Sequence, residues 1–169
     1  MTTNSASNQN PIQNTYNPQA AICYGCGVNN PHGLHVQTIW DGEIGHCTFT
    51  PRPEHTAFPG YVYGGLLASL IDCHSIGTAI AAMYDAEDRE PGSAPEITCV
   101  TGNLNVSYRQ PTPIGLELTL KSRVTELGAR KAVISTELYA GETLCVLGEV
   151  VAVRVQSRLA TGAQTDNET

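Results

Sequence analysis

The segment from Tyr61 to Tyr84, YVYGGLLASLIDCHSIGTAIAAMY, constrains this chain more than any other. It is apolar almost throughout, yet a lone carboxylate, Asp72, stands near its middle, two residues before His74. By length alone it is long enough to span a bilayer. An ionised Asp at the centre of a membrane helix costs about 3 kcal/mol, however, and Gly64, Gly65 and Gly77 weaken such a span further. The segment is therefore expected to be the buried helix of a soluble domain, with no membrane as partner. It should begin at Gly64 and run for about 20 residues, or about 30 Å.

Strands are expected on either side of it. Val36 to Thr50 holds two short strand-like runs around Asp41-Gly42, a favourable hairpin turn. A polar, breaker-rich loop, DAEDREPGSAPE, covers residues 85 to 96. Beyond it Ile97 to Tyr108 forms one strand, ended by Pro111 and Pro113. Leu116, Leu118, Leu120, Ser122 and Val124 then alternate with polar residues, the period of a half-buried antiparallel strand. Two more strands follow, Lys131 to Ala140 and Thr143 to Gln156. Two short strands, one long apolar helix and four strands joined by tight turns suit an α+β domain, an antiparallel sheet wrapped around one central helix.

Residues 22 to 156 form that domain. Residues 1 to 21 and 157 to 169, rich in Asn, Gln, Ser and Thr, are expected to be arms without structure. The first residues have neither the basic nor the apolar stretch of a signal peptide. A cytoplasmic location and free thiols at all six cysteines are therefore expected. The net charge of −7, with no run of Lys or Arg, argues against a nucleic-acid partner.

Gly64 and Gly65 stand where the helix begins. The first turn of a helix offers unpaired N–H groups and a partial positive charge, and glycine lets a ligand atom reach them without a Cβ in the way. The pair therefore suits an oxyanion site, or simply a tight strand-to-helix turn. On the stripe of Asp72 lie Gly65, Ala68, Ser69, Ser75, Ile76 and Ala79, most of them small, so a bulky ligand or a partner helix is expected to pass over it. A carboxylate in an apolar interior needs a partner or a raised pKa. Either a structural Asp or a catalytic one meets that need.

Three blocks, CYGCGVNNPHGLHV (23–36), PGYVYGGLLASLIDCHSIGTA (59–79) and LNVSYRQPTPIG (104–115), resemble the signature blocks of hotdog-fold acyl-CoA thioesterases of the PaaI-like group. The resemblance implies an acyl-CoA substrate, hydrolysis to free acid and CoA without metal or other cofactor, and a homodimer or dimer of dimers. It implies that a backbone N–H of Gly64, or less readily Gly65, polarises the thioester carbonyl. The family carboxylate lies seven residues after the second glycine, which is Asp72 here. Asp72 would act as general base or as nucleophile, with Thr101 placing the water. Tyr63, Ser69 and Arg109 are the expected substrate contacts.

The chain departs from the family in two places. Tyr63 replaces the His that precedes the glycines, and Arg109 stands one place early in the block that reads YRQP, so it should point to the other face of its strand. The replaced His leaves a second reading open, a non-catalytic acyl-CoA-binding or interaction protein of the same fold. Cys23-x2-Cys26 with His32 and His35 has the composition of a zinc site, but the histidines stand closer than the usual spacing, and a structural loop without metal is expected. His74 lies about 200° from Asp72 around the helix and should be a hydrogen-bonded core residue rather than its partner. Cys47, Cys73, Cys99 and Cys145 should be small core residues.

Overall fold

Leu118, Leu120 and Ser122 are fully buried while Lys121 and Arg123 face solvent, so the alternation seen in the sequence is a strand with one face on the core. The computed structural model describes residues 10–156. Its elements are β1 (Ile39–Trp40), β2 (Ile44–Phe49), α1 (Gly64–Ala86), β3 (Thr98–Tyr108), β4 (Leu118–Leu127), β5 (Lys131–Ala140) and β6 (Thr143–Val155). The six strands form one sheet in the order β1-β2-β4-β5-β6-β3, and every pair is antiparallel. Helix α1 carries the chain from β2 to the far edge of the sheet, and β4 returns to fill the place beside β2. Together the sheet and helix make the hotdog fold, as expected.

Helix α1 is long and apolar enough to cross a membrane, yet it lies in the core of the domain. Leu66, Leu70 and Ile71 meet no solvent and share one cluster with Leu118, Leu120, Leu138, Val146 and Val150. Each such side chain contributes about 1.5–3 kcal/mol by leaving water. The polar side chains that α1 buries in this core are paired. Ser75 Oγ lies 2.7 Å from Thr136 Oγ1, which lies 2.5 Å from Ser122 Oγ, so a chain of hydroxyls joins α1 to β4 and β5. His74 is a core residue, as the helix geometry implied. Its Nδ1 is 2.9 Å from Thr38 Oγ1 and its Nε2 is 3.2 Å from the Gly45 carbonyl.

The sequence boundary at residue 21 requires correction. Two short 3-10 turns, Ile12–Thr15 and Ala20–Ile22, pack on the domain with Ile12, Gln13 and Ala21 buried. The Thr38 amide donates to Gln13 Oε1 at 2.8 Å, and Gln13 Nε2 donates to Thr38 Oγ1 at 3.2 Å. That pairing satisfies a buried side-chain amide and holds the segment beside β1. The remainder of the expected arms, residues 1–9 and 157–169, lies outside the described residues.

Strand β3 is irregular at one point. Its pairing with β6 runs Thr101↔Ala152 and then Asn103↔Val151, so Gly102 is an extra residue, a bulge.

Candidate active site

From Leu66 to Tyr84 only Ala68, Ser69, Asp72 and Ile76 escape full burial. Their spacing places them on one stripe of α1, the stripe that carries the carboxylate. Asp72 is half-buried there. Its Oδ1 accepts a 2.5 Å hydrogen bond from Thr101 Oγ1, across from β3. Burial raises the Asp72 carboxyl above its ordinary value, and the Thr101 hydroxyl partly offsets that rise.

Asp72 and Thr101 line a cavity of about 380 Å³. Its wall is mainly apolar, with Ile76, Ile80, Tyr84 and Val100 among the lining residues. Cys23, Cys26 and Cys73 line it as well. Thiol hydrogen bonds from Cys26 and Cys73 hold the Cys23 thiol far below its ordinary value, whereas Cys26 and Cys73 are pushed up by the same contacts.

The other residues singled out in the sequence gather at the start of α1 and outside this cavity. Tyr63 is extended, with φ −74° and ψ 143°, and no side chain caps the helix that begins at Gly64. The first-turn N–H groups are thus without an intrahelical partner or a side-chain cap. A side chain at either glycine would crowd a neighbouring tyrosine. A Cβ on Gly65 would stand 2.5 Å from the Tyr63 ring, and one on Gly64 would stand 3.1 Å from the Tyr108 hydroxyl. Ser69 Oγ donates to the Gly65 carbonyl at 2.9 Å, so its hydroxyl is engaged along the helix. Arg109 is exposed just past the end of β3, its amide donating to the Cys145 carbonyl at 2.8 Å. Within one chain, therefore, Asp72 and Thr101 come together, while Tyr63, Gly64, Gly65, Ser69 and Arg109 stand apart from their cavity.

Sequence reasoning missed Tyr108. Its hydroxyl donates to the Gly64 carbonyl at 2.8 Å and braces the start of α1 against β3. It stands beside Arg109 in the block that resembles the family, but nothing local marks it as a partner of a residue 44 positions away. Cys73 is more than the small core residue that its place in the sequence implies. It is 9% exposed, and it also joins the two cysteines of the C-x-x-C loop, a cluster in which His32 and His35 take no part.

A sheet curled on one long helix, with a carboxylate and a hydroxyl facing a cavity on that helix, defines the class of protein. The model of the thioesterase superfamily matches residues 59–147, more than half of the chain, and the chain belongs to that family. It is 41% identical to a solved thioesterase superfamily protein from Shewanella loihica PV-4, covering 74% of this chain and 95% of that one with a TM-score of 0.59. The PaaI protein of E. coli shares the fold, with a TM-score of 0.60 at 18% identity, covering 73% of this chain and 81% of that one. Over 110 residues the chain is 26% identical to the acyl-coenzyme A thioesterase THEM4 of Xenopus laevis, covering 65% of this chain and 44% of that protein. It spans about half the length of the curated relatives it matches.

Proposed function

We propose that this chain hydrolyses an acyl-CoA thioester to the free acid and CoA. The observation that carries the reading is the Asp72 carboxylate, held by Thr101 at the wall of an apolar cavity on a helix whose N-terminus has no side-chain cap. The acyl-coenzyme A thioesterase activity in the name of the Xenopus relative supports the choice of substrate.

In this mechanism a water attacks the thioester carbonyl carbon while Asp72 takes its proton. Oδ1 is engaged by Thr101, and Oδ2 has no hydrogen-bond partner among the described residues, which leaves it available as the base. The negative charge that develops on the carbonyl oxygen is met by the Gly64 N–H, with the dipole of α1 behind it. Collapse of the tetrahedral intermediate breaks the C–S bond. The CoA thiolate leaves and is protonated.

Gly64 and Asp72 are eight residues apart on one helix, about 12 Å, too far to serve one reacting carbon. A shared site resolves this. Strand β3 is the outer strand of the sheet, 11 residues long and largely exposed. Its Val100, Leu104 and Tyr108 are among the exposed large apolar side chains. Such an edge is suited to pairing with another strand. Two β3 strands paired antiparallel about a two-fold axis extend the sheet and bring the two small-residue stripes of α1 together, so that Gly64 of one subunit faces Asp72 of its partner. A homodimer, alone or doubled, is therefore the proposed working unit.

Screening a panel of aliphatic and aromatic acyl-CoAs for release of free thiol tests the activity. Turnover that disappears in Asp72→Asn is the expected result. Tight acyl-CoA binding with no thiol release would instead support the reading left open by the replaced histidine, binding without hydrolysis.

A further inference from the structure

The CYGCG loop and helix α1 meet one residue beyond Asp72. Cys23 and Cys26 come from the loop that follows Ala20–Ile22, Cys73 comes from α1, and the three Sγ atoms lie within 4.8 Å of one another. Around a tetrahedral zinc ion, sulfur ligands at 2.3 Å stand about 3.8 Å apart, so small side-chain rotations bring these three to ligand distance. The backbone is arranged for that approach. The Gly27 N–H donates to the Cys23 carbonyl at 2.8 Å and closes the C-x-x-C turn. A Cβ on Gly25 would stand 2.2 Å from Cys73 Sγ, so the loop reaches Cys73 only because residue 25 is glycine.

A second observation points to a ligand at the same place. Tyr16 lines the cavity with the three cysteines, and its hydroxyl is buried with no hydrogen-bond partner among the described residues. An orphaned buried hydroxyl is costly unless something in the cavity pairs with it.

We propose that Cys23, Cys26 and Cys73 bind a zinc ion, with its fourth coordination position open to the cavity that Asp72 lines. Thiolate ligands select soft metals, and three protein ligands leave one position for solvent or another oxygen, which the Tyr16 hydroxyl can hydrogen-bond. The ion ties the loop that begins at Cys23 to α1 at the residue after the carboxylate. A disulfide between Cys23 and Cys26 would use two of the three sulfurs and give the contact of Gly25 with Cys73 no role. The spacing of His32 and His35 disfavours a zinc site built with them, and the fold supplies Cys73 in their place.

The test is independent of catalysis. The full chain is purified under reducing conditions without chelator, its thiols are counted, and its metal is measured by elemental analysis. It is then stripped and titrated with Zn²⁺ and with Co²⁺. The expected result is one zinc per fully reduced chain, a thiolate-to-cobalt charge-transfer band, and a rise in unfolding temperature on adding zinc. Cys23→Ser, at an exposed position, should weaken zinc binding by at least about a hundredfold while the chain stays folded, and the double variant His32→Asn, His35→Asn should bind as wild type. Trace metal on a fully reduced wild-type chain, binding unchanged in Cys23→Ser, or binding lost in the histidine variant would each overturn the proposal.

Discussion

The Thr101 hydroxyl donates a 2.5 Å hydrogen bond to Oδ1 of Asp72, joining the edge strand of the sheet to the one carboxylate of the central helix before its last turn. If that bond orients the base, Thr101→Val should lower kcat by about tenfold to a hundredfold, and Thr101→Ser should keep most of it. On an Asp72→Asn background the same change should cost nothing further, since the base that Thr101 orients is already gone. Additive losses in steady-state kinetics would mean that Thr101 acts apart from Asp72.

Asp72→Asn should cost at least about a hundredfold in kcat/KM, the weight of a general base, whereas Tyr63→Phe should cost less than about tenfold. The Tyr63 ring packs over Gly65, so the Phe variant keeps the shape of the helix start. Equal losses in the two variants would make the Tyr63 hydroxyl a participant in the chemistry.

A site shared between subunits can be tested by complementation. Gly64→Pro removes the proposed oxyanion donor at a helical position that tolerates proline, and Tyr63 already has the extended conformation a following proline requires. Refolded together, Gly64→Pro and Asp72→Asn should form mixed dimers in about half the cases, each with one intact site. Activity should return to about a quarter of wild type by the arithmetic of an isologous pair. A dead mixture in which mixed dimers form, with Gly64→Pro shown to be folded by circular dichroism, would place both groups in one chain's site.

Burial lowers the His74 imidazole from 6.5 to about 3, against an opposing hydrogen bond to the Gly45 carbonyl and with a small repulsion from His46. The unfolded chain binds that proton more readily, so this contribution to stability is complete above about pH 6.5 and is lost as the pH falls. At pH 5 the loss should be about 2 kcal/mol. Denaturant unfolding at pH 7 and pH 5 measures it, and His74→Gln should flatten the dependence. A slope unchanged in that variant would assign the acid sensitivity to other groups.

Most of the fold was legible because its elements announce themselves locally. Leu118, Leu120 and Ser122 keep a period of two, and the helix is marked by length, apolarity and the glycines at its start. The carboxylate was legible for the opposite reason, as one charge where the pattern allows none. What stayed hidden depends on contacts between distant segments. Gln13 looks like any residue of a polar arm until Thr38 pairs with it, and Cys73 looks like packing until the loop at Cys23 folds onto it. Tyr108 is likewise an ordinary strand aromatic until the start of α1 lies beneath it.

Seven positions separate Thr101 from Tyr108, an odd number, which on a regular strand would turn the two side chains to opposite faces. Both nevertheless reach α1, Thr101 at Asp72 and Tyr108 at Gly64. The bulge at Gly102 reconciles these facts, since their partners on β6, Ala152 and Val146, are six apart and share a face. One glycine thus acts as a parity bit for the strand: without it, a hand that now holds the helix at two points would keep only one grip, and the other would close on water.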